Sequence, residues 1–183
     1  NSDSLLYSWT SGGGGTFLGN FFNYLSSPFG IIMFIFGHKN MPEAIATMIL
    51  LKACTASFTF SYFLSKKAEK VSAVTSAFGV LYACSGYFIA YYWNIMWLDS
   101  FYLFPLVMLG LEKLISQRKM KLYIVSLALT FVTNYYMAYM VCIFSVLYFI
   151  YYYFSVFAIS ETYLGKLKKP EKGIFARLSY VYD

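Results

Sequence analysis

The stretch Trp93-Asn94-Ile95-Met96-Trp97-Leu98-Asp99 decides how this chain folds, because it places one carboxylate between tryptophans and a long apolar run. An ionisable side chain in such surroundings is costly unless it faces water, a partner or a ligand. Asp99 is therefore the first candidate functional residue: a general base, a ligand of a divalent cation or the partner of a cationic group. The alternative is a helix N-cap, a position at which Asp is among the best residues.

The composition of the whole chain is that of an integral membrane protein. Of its 183 residues, 60% are hydrophobic and 22% aromatic, and only 12% are charged. A soluble domain carries about 25% charged residues, so a water-soluble fold could not cover this many Phe and Tyr side chains. The net charge of +6 does not indicate nucleic acid as a partner. The basic residues instead form short clusters between apolar runs, as the positive-inside rule produces.

The order of polar and apolar segments predicts an all-α, polytopic helical bundle in the lipid bilayer. Residues 1–40 are predicted to be an outer loop, in which the apolar stretch 28–36 is too short to span and forms a re-entrant or interfacial helix. Residues 41–157 form a transmembrane bundle of about five spans, and residues 158–183 a cytoplasmic tail or amphipathic linker. The predicted spans are Met41–Leu64, Val71–Tyr92, Phe101–Ile115, Leu122–Thr133 and Met137–Phe157.

The basic clusters predict the orientation of these spans. Of the fourteen Lys and Arg residues, Lys39 lies in the outer loop and Lys52 within a span, and the other twelve fall on one side. With that side in the cytoplasm, the N-terminus is outside and the C-terminus is cytoplasmic. Trp93 and Trp97 then lie in an outer aromatic belt, which agrees with this orientation.

Two predicted spans are too short for a bilayer. Phe101–Ile115 would measure about 22 Å and Leu122–Thr133 about 18 Å, against a hydrocarbon core of about 30 Å. Helices that end inside the membrane are tolerated where they are buried in protein or line a watery cavity. We therefore expect a site at the outer ends of these helices, near Asp99 and Asn134.

Further polar residues accompany this carboxylate. Lys52 lies eleven residues into its span, where it either pairs with a carboxylate or binds an anion such as a lipid phosphate. His38 and Lys39 lie in the outer loop, where a histidine is usually only solvated. Asn134 and Tyr135, at a helix break, offer groups for sugar hydroxyls, although capping and interface anchoring explain them equally well. No metal-ligand constellation is visible in the sequence, so the metal is unknown.

Several short motifs occur in a fixed order along the chain. In this set and order the chain resembles the YfhO family of bacterial membrane proteins over nearly its whole length. The resemblance implies a GT-C-like fold with short or broken helices. GT-C glycosyltransferases move a sugar from a polyprenyl-phosphate donor to an acceptor outside the cell, here a teichoic acid or related cell-wall polymer. The motifs are Tyr7-Ser8-Trp9, Gly19-Asn20, Tyr24–Phe29, Leu51-Lys52, Asn94–Asp99, Pro105-Leu106 and Asn134-Tyr135-Tyr136.

The resemblance also implies roles for the candidate residues. The donor phosphate is expected at Lys52 or at His38 and Lys39, while Asp99 holds an acceptor hydroxyl or a divalent cation. The main catalytic base of GT-C enzymes lies in the first outer loop, and we expect this chain to begin after it. The chain is then a truncated part of an enzyme and inactive alone. The candidates for the sugar or the acceptor are Trp97, Asn134 and Tyr135.

Two alternative functions belong to other classes. A transporter or flippase of lipid-linked glycans would also use broken helices, but no internal repeat is visible. A non-catalytic membrane scaffold would have no need of Lys52 and Asp99 inside the membrane.

Overall fold

The helical class is confirmed. A computed structural model of the chain describes residues 14–15 and 26–164, without the side chains of residues 38 and 156–164. The predicted motifs at residues 7–9 and 19–20 and most of the predicted tail lie outside the described residues. The helices are α1 (Ile31–Phe36), α2 (Met41–Lys67), α3 (Ala73–Ala83), α4 (Gly86–Tyr91), α5 (Leu98–Gln117), α6 (Lys121–Thr133) and α7 (Tyr135–Leu164), with 3₁₀ turns at Pro28–Gly30 and His38–Asn40.

The described residues contain three helical stretches long and apolar enough to cross a membrane. They are Met41–Lys67, Ala73–Tyr91 and Tyr135–Ser155, with 27, 19 and 21 residues. Their surfaces expose large apolar side chains, including Phe58 on α2 and Phe154 on α7. Because exposed apolar surface this extensive is not stable in water, lipid has to cover it. The predicted membrane location is thus confirmed.

The predicted third span differs most from the structure. As α5 it begins at Leu98 and has 20 residues, about 30 Å of helix, so it is longer than predicted, although it is not among the three stretches that are long and apolar enough to cross a membrane. Over half of its residues are buried, because α5 packs against α2, α6 and α7 in the middle of the bundle. By contrast α6, with 13 residues, is as short as predicted. The predicted second span is divided into α3 and α4 by a turn at Cys84–Ser85.

Helices α2 and α5 run parallel but start at different levels. Lys52 contacts Asp99 at the start of α5, and Lys67 contacts Glu112 further along both helices. Since α2 begins at Met41, its first three turns extend about 16 Å beyond the level at which α5 starts. The start of α5 therefore lies inside the bundle, beside the middle of α2.

Two glycines allow neighbouring helices to approach closely. A Cβ atom at Gly79 in α3 would lie 2.5 Å from the carbonyl oxygen of Ser57 in α2. A Cβ atom at Gly110 in α5 would lie 2.6 Å from backbone atoms of Tyr123 in α6. Small residues at crossings are the usual means by which membrane helices pack. The α2–α3 and α5–α6 pairs are accordingly tight hairpins.

Candidate functional site

A buried ion pair joins α2 to α5. Lys52 Nζ lies 2.9 Å from Asp99 Oδ2, and both side chains are 0% exposed. The ammonium group donates a second hydrogen bond to the Ile95 carbonyl oxygen at 2.9 Å. Asp99 Oδ1 accepts a hydrogen bond from Ser27 Oγ at 3.0 Å. Buried charges are tolerated when they are paired and hydrogen-bonded to further groups, and here each of the two charged groups makes one hydrogen bond beyond the pair.

The segment Ser26–Phe29, which we call the strap, crosses the bundle beside this pair. Ser26 Oγ donates to the carbonyl oxygens of Val132 and Thr133, at the last turn of α6. The ring of Phe29 packs edge-on against Tyr102 of α5, with ring centroids 5.6 Å apart. Because Ser27 bonds to Asp99 between these two contacts, the strap ties the start of α5 to the end of α6.

The turn between α4 and α5 forms the other side of the site. The Asn94 N–H donates to the Tyr91 carbonyl, and the Trp97 N–H donates to the Asn94 carbonyl. This tight turn brings the Ile95 carbonyl and the Asp99 carboxylate to the same ammonium group. Trp97 is partly buried, with its ring centroid 5.4 Å from that of Tyr91. The turn thus positions two acceptors for one lysine.

The helix break at Asn134 is built from a cap. Asn134 is 0% exposed, and its Oδ1 accepts a hydrogen bond from the Met137 N–H at 2.9 Å. This is the N-cap geometry at the start of α7, so the capping alternative accounts for this residue. Tyr135 next to it is 52% exposed. Of the two predicted sugar contacts at this break, Tyr135 is the accessible one.

The predicted site residues do not all come together. Lys39 is exposed and precedes Met41, which itself lies about 16 Å from Lys52 along the axis of α2. Lys39 and Lys52 are therefore separate positions. The side chain of His38 lies outside the described part of the chain. Lys52 and Asp99 are paired with each other. Of the two alternatives for Lys52, a carboxylate partner or a bound anion, the structure has the carboxylate partner.

One alternative for Asp99 is wrong, and two contacts were missed. The N-cap of α5 is Trp97, and Asp99 is the second residue of the helix. At that position a negative charge interacts favourably with the helix dipole. Sequence reasoning did not find Ser27 or Ile95 as partners of the ion pair. Both lie within the motifs on which the family resemblance rests, but the order of motifs along a chain does not show which segments contact each other in the fold.

A metal site is not defined by these residues. Within 14–15 and 26–164 there is no group of three or more His, Cys, Asp or Glu side chains that could hold a metal ion. The divalent cation considered for Asp99 stays a prediction.

Three apolar helical stretches long enough to cross a membrane, and an ion pair buried between α2 and α5, define a polytopic, α-helical integral membrane protein with ionisable groups in its interior. The chain belongs to the YfhO family of bacterial membrane proteins, whose family model matches residues 1–175. No curated protein and no solved structure matches it. The family predicted from the motifs is thus confirmed.

Proposed function

We propose that the protein is, or is part of, a membrane glycosyltransferase that moves a sugar from a polyprenyl-phosphate donor to a teichoic-acid-type or other cell-wall acceptor. The observation that supports this most is the buried Lys52–Asp99 pair, on which α2, α5, the turn before α5 and the strap converge. Ionisable groups inside a membrane protein commonly mark functional sites. The four converging segments all contain motifs on which the resemblance to the family rests.

The proposed reaction inverts the sugar's anomeric carbon. An acceptor hydroxyl forms a bond to that carbon while the bond from the carbon to the donor's phosphate oxygen breaks. Polyprenyl phosphate leaves with the electron pair of the broken bond, and the hydroxyl proton passes to a carboxylate base. Both oxygens of Asp99 already accept hydrogen bonds, so we assign Asp99 a positioning role and the base to a carboxylate of the first outer loop.

The accessible residues supply the proposed substrate contacts. In this proposal Lys39, with His38 beside it in sequence, attracts the donor phosphate on the outer side. Trp97 and Tyr135 offer aromatic surfaces and polar ring atoms to the sugar or the acceptor. Lys52 reaches a phosphate in this proposal only if that phosphate replaces Asp99 as its partner. The orientation proposed with these roles has the N-terminus outside and the C-terminus in the cytoplasm.

The test removes both charges of the pair at once. In Lys52→Met/Asp99→Leu no buried charge is left without a partner, and such apolar replacements of ion pairs are often neutral for stability. Membranes containing the whole protein receive a labelled polyprenyl-phosphate sugar, and label in the polymer is measured per amount of folded protein. We expect the double variant to fold and to lose at least about tenfold in transfer, or about 1.4 kcal/mol in the barrier.

The matched control is Lys67→Met/Glu112→Leu, which deletes the other ion pair between the same two helices and should keep wild-type transfer. Full transfer by the Lys52–Asp99 double variant would reduce the buried pair to a structural role. The absence of protein-dependent label in the polymer, across the lipid-linked sugars tried, would reject the enzyme. Movement of an intact lipid-linked sugar across a vesicle membrane, without transfer, would favour the flippase.

A further inference from the structure

At the end of the bundle opposite the buried pair, two helix connections carry many basic residues. The two connections lie side by side, since Lys67 Nζ is 2.8 Å from Glu112 Oε1. Six of the seven basic side chains are exposed and one, that of Lys113, is half-buried. Each connection is taken together with the helix ends next to it. We call this set the basic end: Lys66, Lys67 and Lys70 around the α2–α3 connection, and Lys113, Arg118, Lys119 and Lys121 around the α5–α6 connection.

Nearby carboxylates neutralise little of this charge. Glu112 is bound to Lys67 and also accepts a hydrogen bond from Tyr148 Oη at 2.5 Å. Glu69 is the other acidic residue of the two connections, so seven basic and two acidic residues leave five positive charges. Like charges on neighbouring connections repel each other and oppose the compact state. An external anion that binds here would therefore stabilise the folded protein.

The backbone at Arg118 has a conformation that suits glycine better than arginine. Arg118 has a φ of 53°, in the left-handed region that favours glycine over residues with a Cβ atom. Its N–H donates to the Leu114 carbonyl, and the Lys119 N–H donates to the Lys113 carbonyl. This is the helix-ending geometry in which glycine is usual. An arginine here is unfavourable for the backbone, and replacing it with glycine would remove the guanidinium charge while relieving that strain.

We propose that the basic end binds the phosphate headgroups of anionic phospholipids and that this binding clamps α2 to the α5–α6 hairpin. The ammonium groups of Lys66 and Lys67 each lie 5.5 Å from an aromatic ring centroid, those of Tyr62 and Phe63. Tyrosine side chains such as Tyr62 are enriched at the level of lipid headgroups. Clusters of basic residues next to a membrane helix are attracted to anionic lipid, and a guanidinium matches phosphate oxygens in pairs. The proposal depends neither on the sugar chemistry nor on which membrane face the basic end reaches.

The experiment compares thermal unfolding of the whole protein in two kinds of vesicle, followed by helical circular dichroism. One contains phosphatidylcholine alone, and in the other phosphatidylglycerol replaces part of it. We expect the midpoint of the wild type to rise by roughly 5 °C or more in the anionic vesicles. The variant Arg118→Gly/Lys119→Gln/Lys121→Gln should lose at least half of that rise. Each protein's midpoint in neutral vesicles is the baseline from which its own rise is measured, so a change in basal stability does not enter the comparison.

The matched control is Lys39→Gln, an exposed lysine at the other end of α2, which should keep the full rise. An equal midpoint for the wild type in both vesicles would overturn the proposal, and so would a full rise in the triple variant. Soluble glycerol phosphate added to neutral vesicles should not reproduce the effect. If it did, the site would bind free phosphate and not lipid.

Discussion

Two ion pairs join the same two helices, α2 and α5, over nearly equal distances. Lys52 and Asp99 are 2.9 Å apart, and Lys67 and Glu112 are 2.8 Å apart. Burial separates them, since the first pair is 0% exposed and the side chains of the second are 52% and 13% exposed. A buried charge that loses its partner is costly, whereas an exposed pair contributes little. Distance alone therefore does not give the contribution of an ion pair.

The hydrogen-bond partners of the two ion pairs also differ. In the buried pair, Lys52 also donates a hydrogen bond to the Ile95 carbonyl, and Asp99 also accepts one from Ser27 of the strap. At the basic end, Glu112 shares its carboxylate between Lys67 and Tyr148 and faces solvent in part. The close approach of α5 to α6 at Gly110 lies near this second pair. Electrostatics thus specifies the arrangement at one end, and backbone packing specifies it at the other.

The largest effect is expected from breaking the buried pair on one side. Lys52→Met leaves Asp99 without its cation and should lower the free energy of unfolding by about 3–5 kcal/mol. The change is measured by chemical unfolding in detergent or vesicles. Adding Asp99→Leu to this variant should restore most of the loss, so the two changes are strongly non-additive. Additive losses would mean that the two side chains do not depend on each other.

The second effect tests packing at the basic end. Gly110→Ala places a Cβ atom against the backbone of Tyr123, which cannot rotate away, so α5 and α6 must separate. We expect a loss of about 2 kcal/mol in the free energy of unfolding. The control is Gly86→Ala, where a Cβ atom would have no neighbour within 4 Å. If the Gly110 and Gly86 variants were equally stable, the close approach of α5 to α6 would not contribute to stability.

A smaller effect is expected where the strap meets the buried pair. Ser27→Ala removes the hydrogen bond to Asp99 Oδ1 but keeps the ion pair, so the free energy of unfolding should fall by about 1–1.5 kcal/mol. Ser116, whose hydroxyl bonds to its own helix at the Glu112 carbonyl, provides the control. Ser116→Ala should change stability by less than about 0.5 kcal/mol. A Ser27 variant no less stable than the control would show that the strap is held by its other contacts.

The smallest effect is expected from the partly exposed pair of Lys67 and Glu112. Lys67→Met should cost less than about 1 kcal/mol, because Glu112 keeps its Tyr148 hydrogen bond and remains partly solvated. Salt should reduce even this difference, since it screens exposed charges. The measurement is the same unfolding experiment at low and high ionic strength. A loss as large as that of Lys52→Met would contradict the distinction between the two pairs.

The sequence predicted the elements in contact with lipid well and the interior poorly. The predicted α2 shares its first residue with the observed helix, and the predicted α6 ends at the same residue as the observed one. The break between α3 and α4 was missed because the apolar pattern continues across Cys84–Ser85, where lipid imposes no change of composition. The start of α5 was placed too late because Leu98 and Asp99 are buried by partners from other segments.

The sequence by itself determined the membrane class and the family, since these follow from composition and from the order of the motifs. It also determined that Lys52 and Asp99 would be unfavourable inside a bilayer without a partner, since this follows from their charge. The tertiary structure alone decided that the two residues are each other's partners, 47 positions apart, and that Ser27 joins them from 72 positions away. Such contacts depend on the direction and relative level of packed helices. Hydropathy does not report the direction or the relative level of packed helices, because it describes only how each segment interacts with lipid.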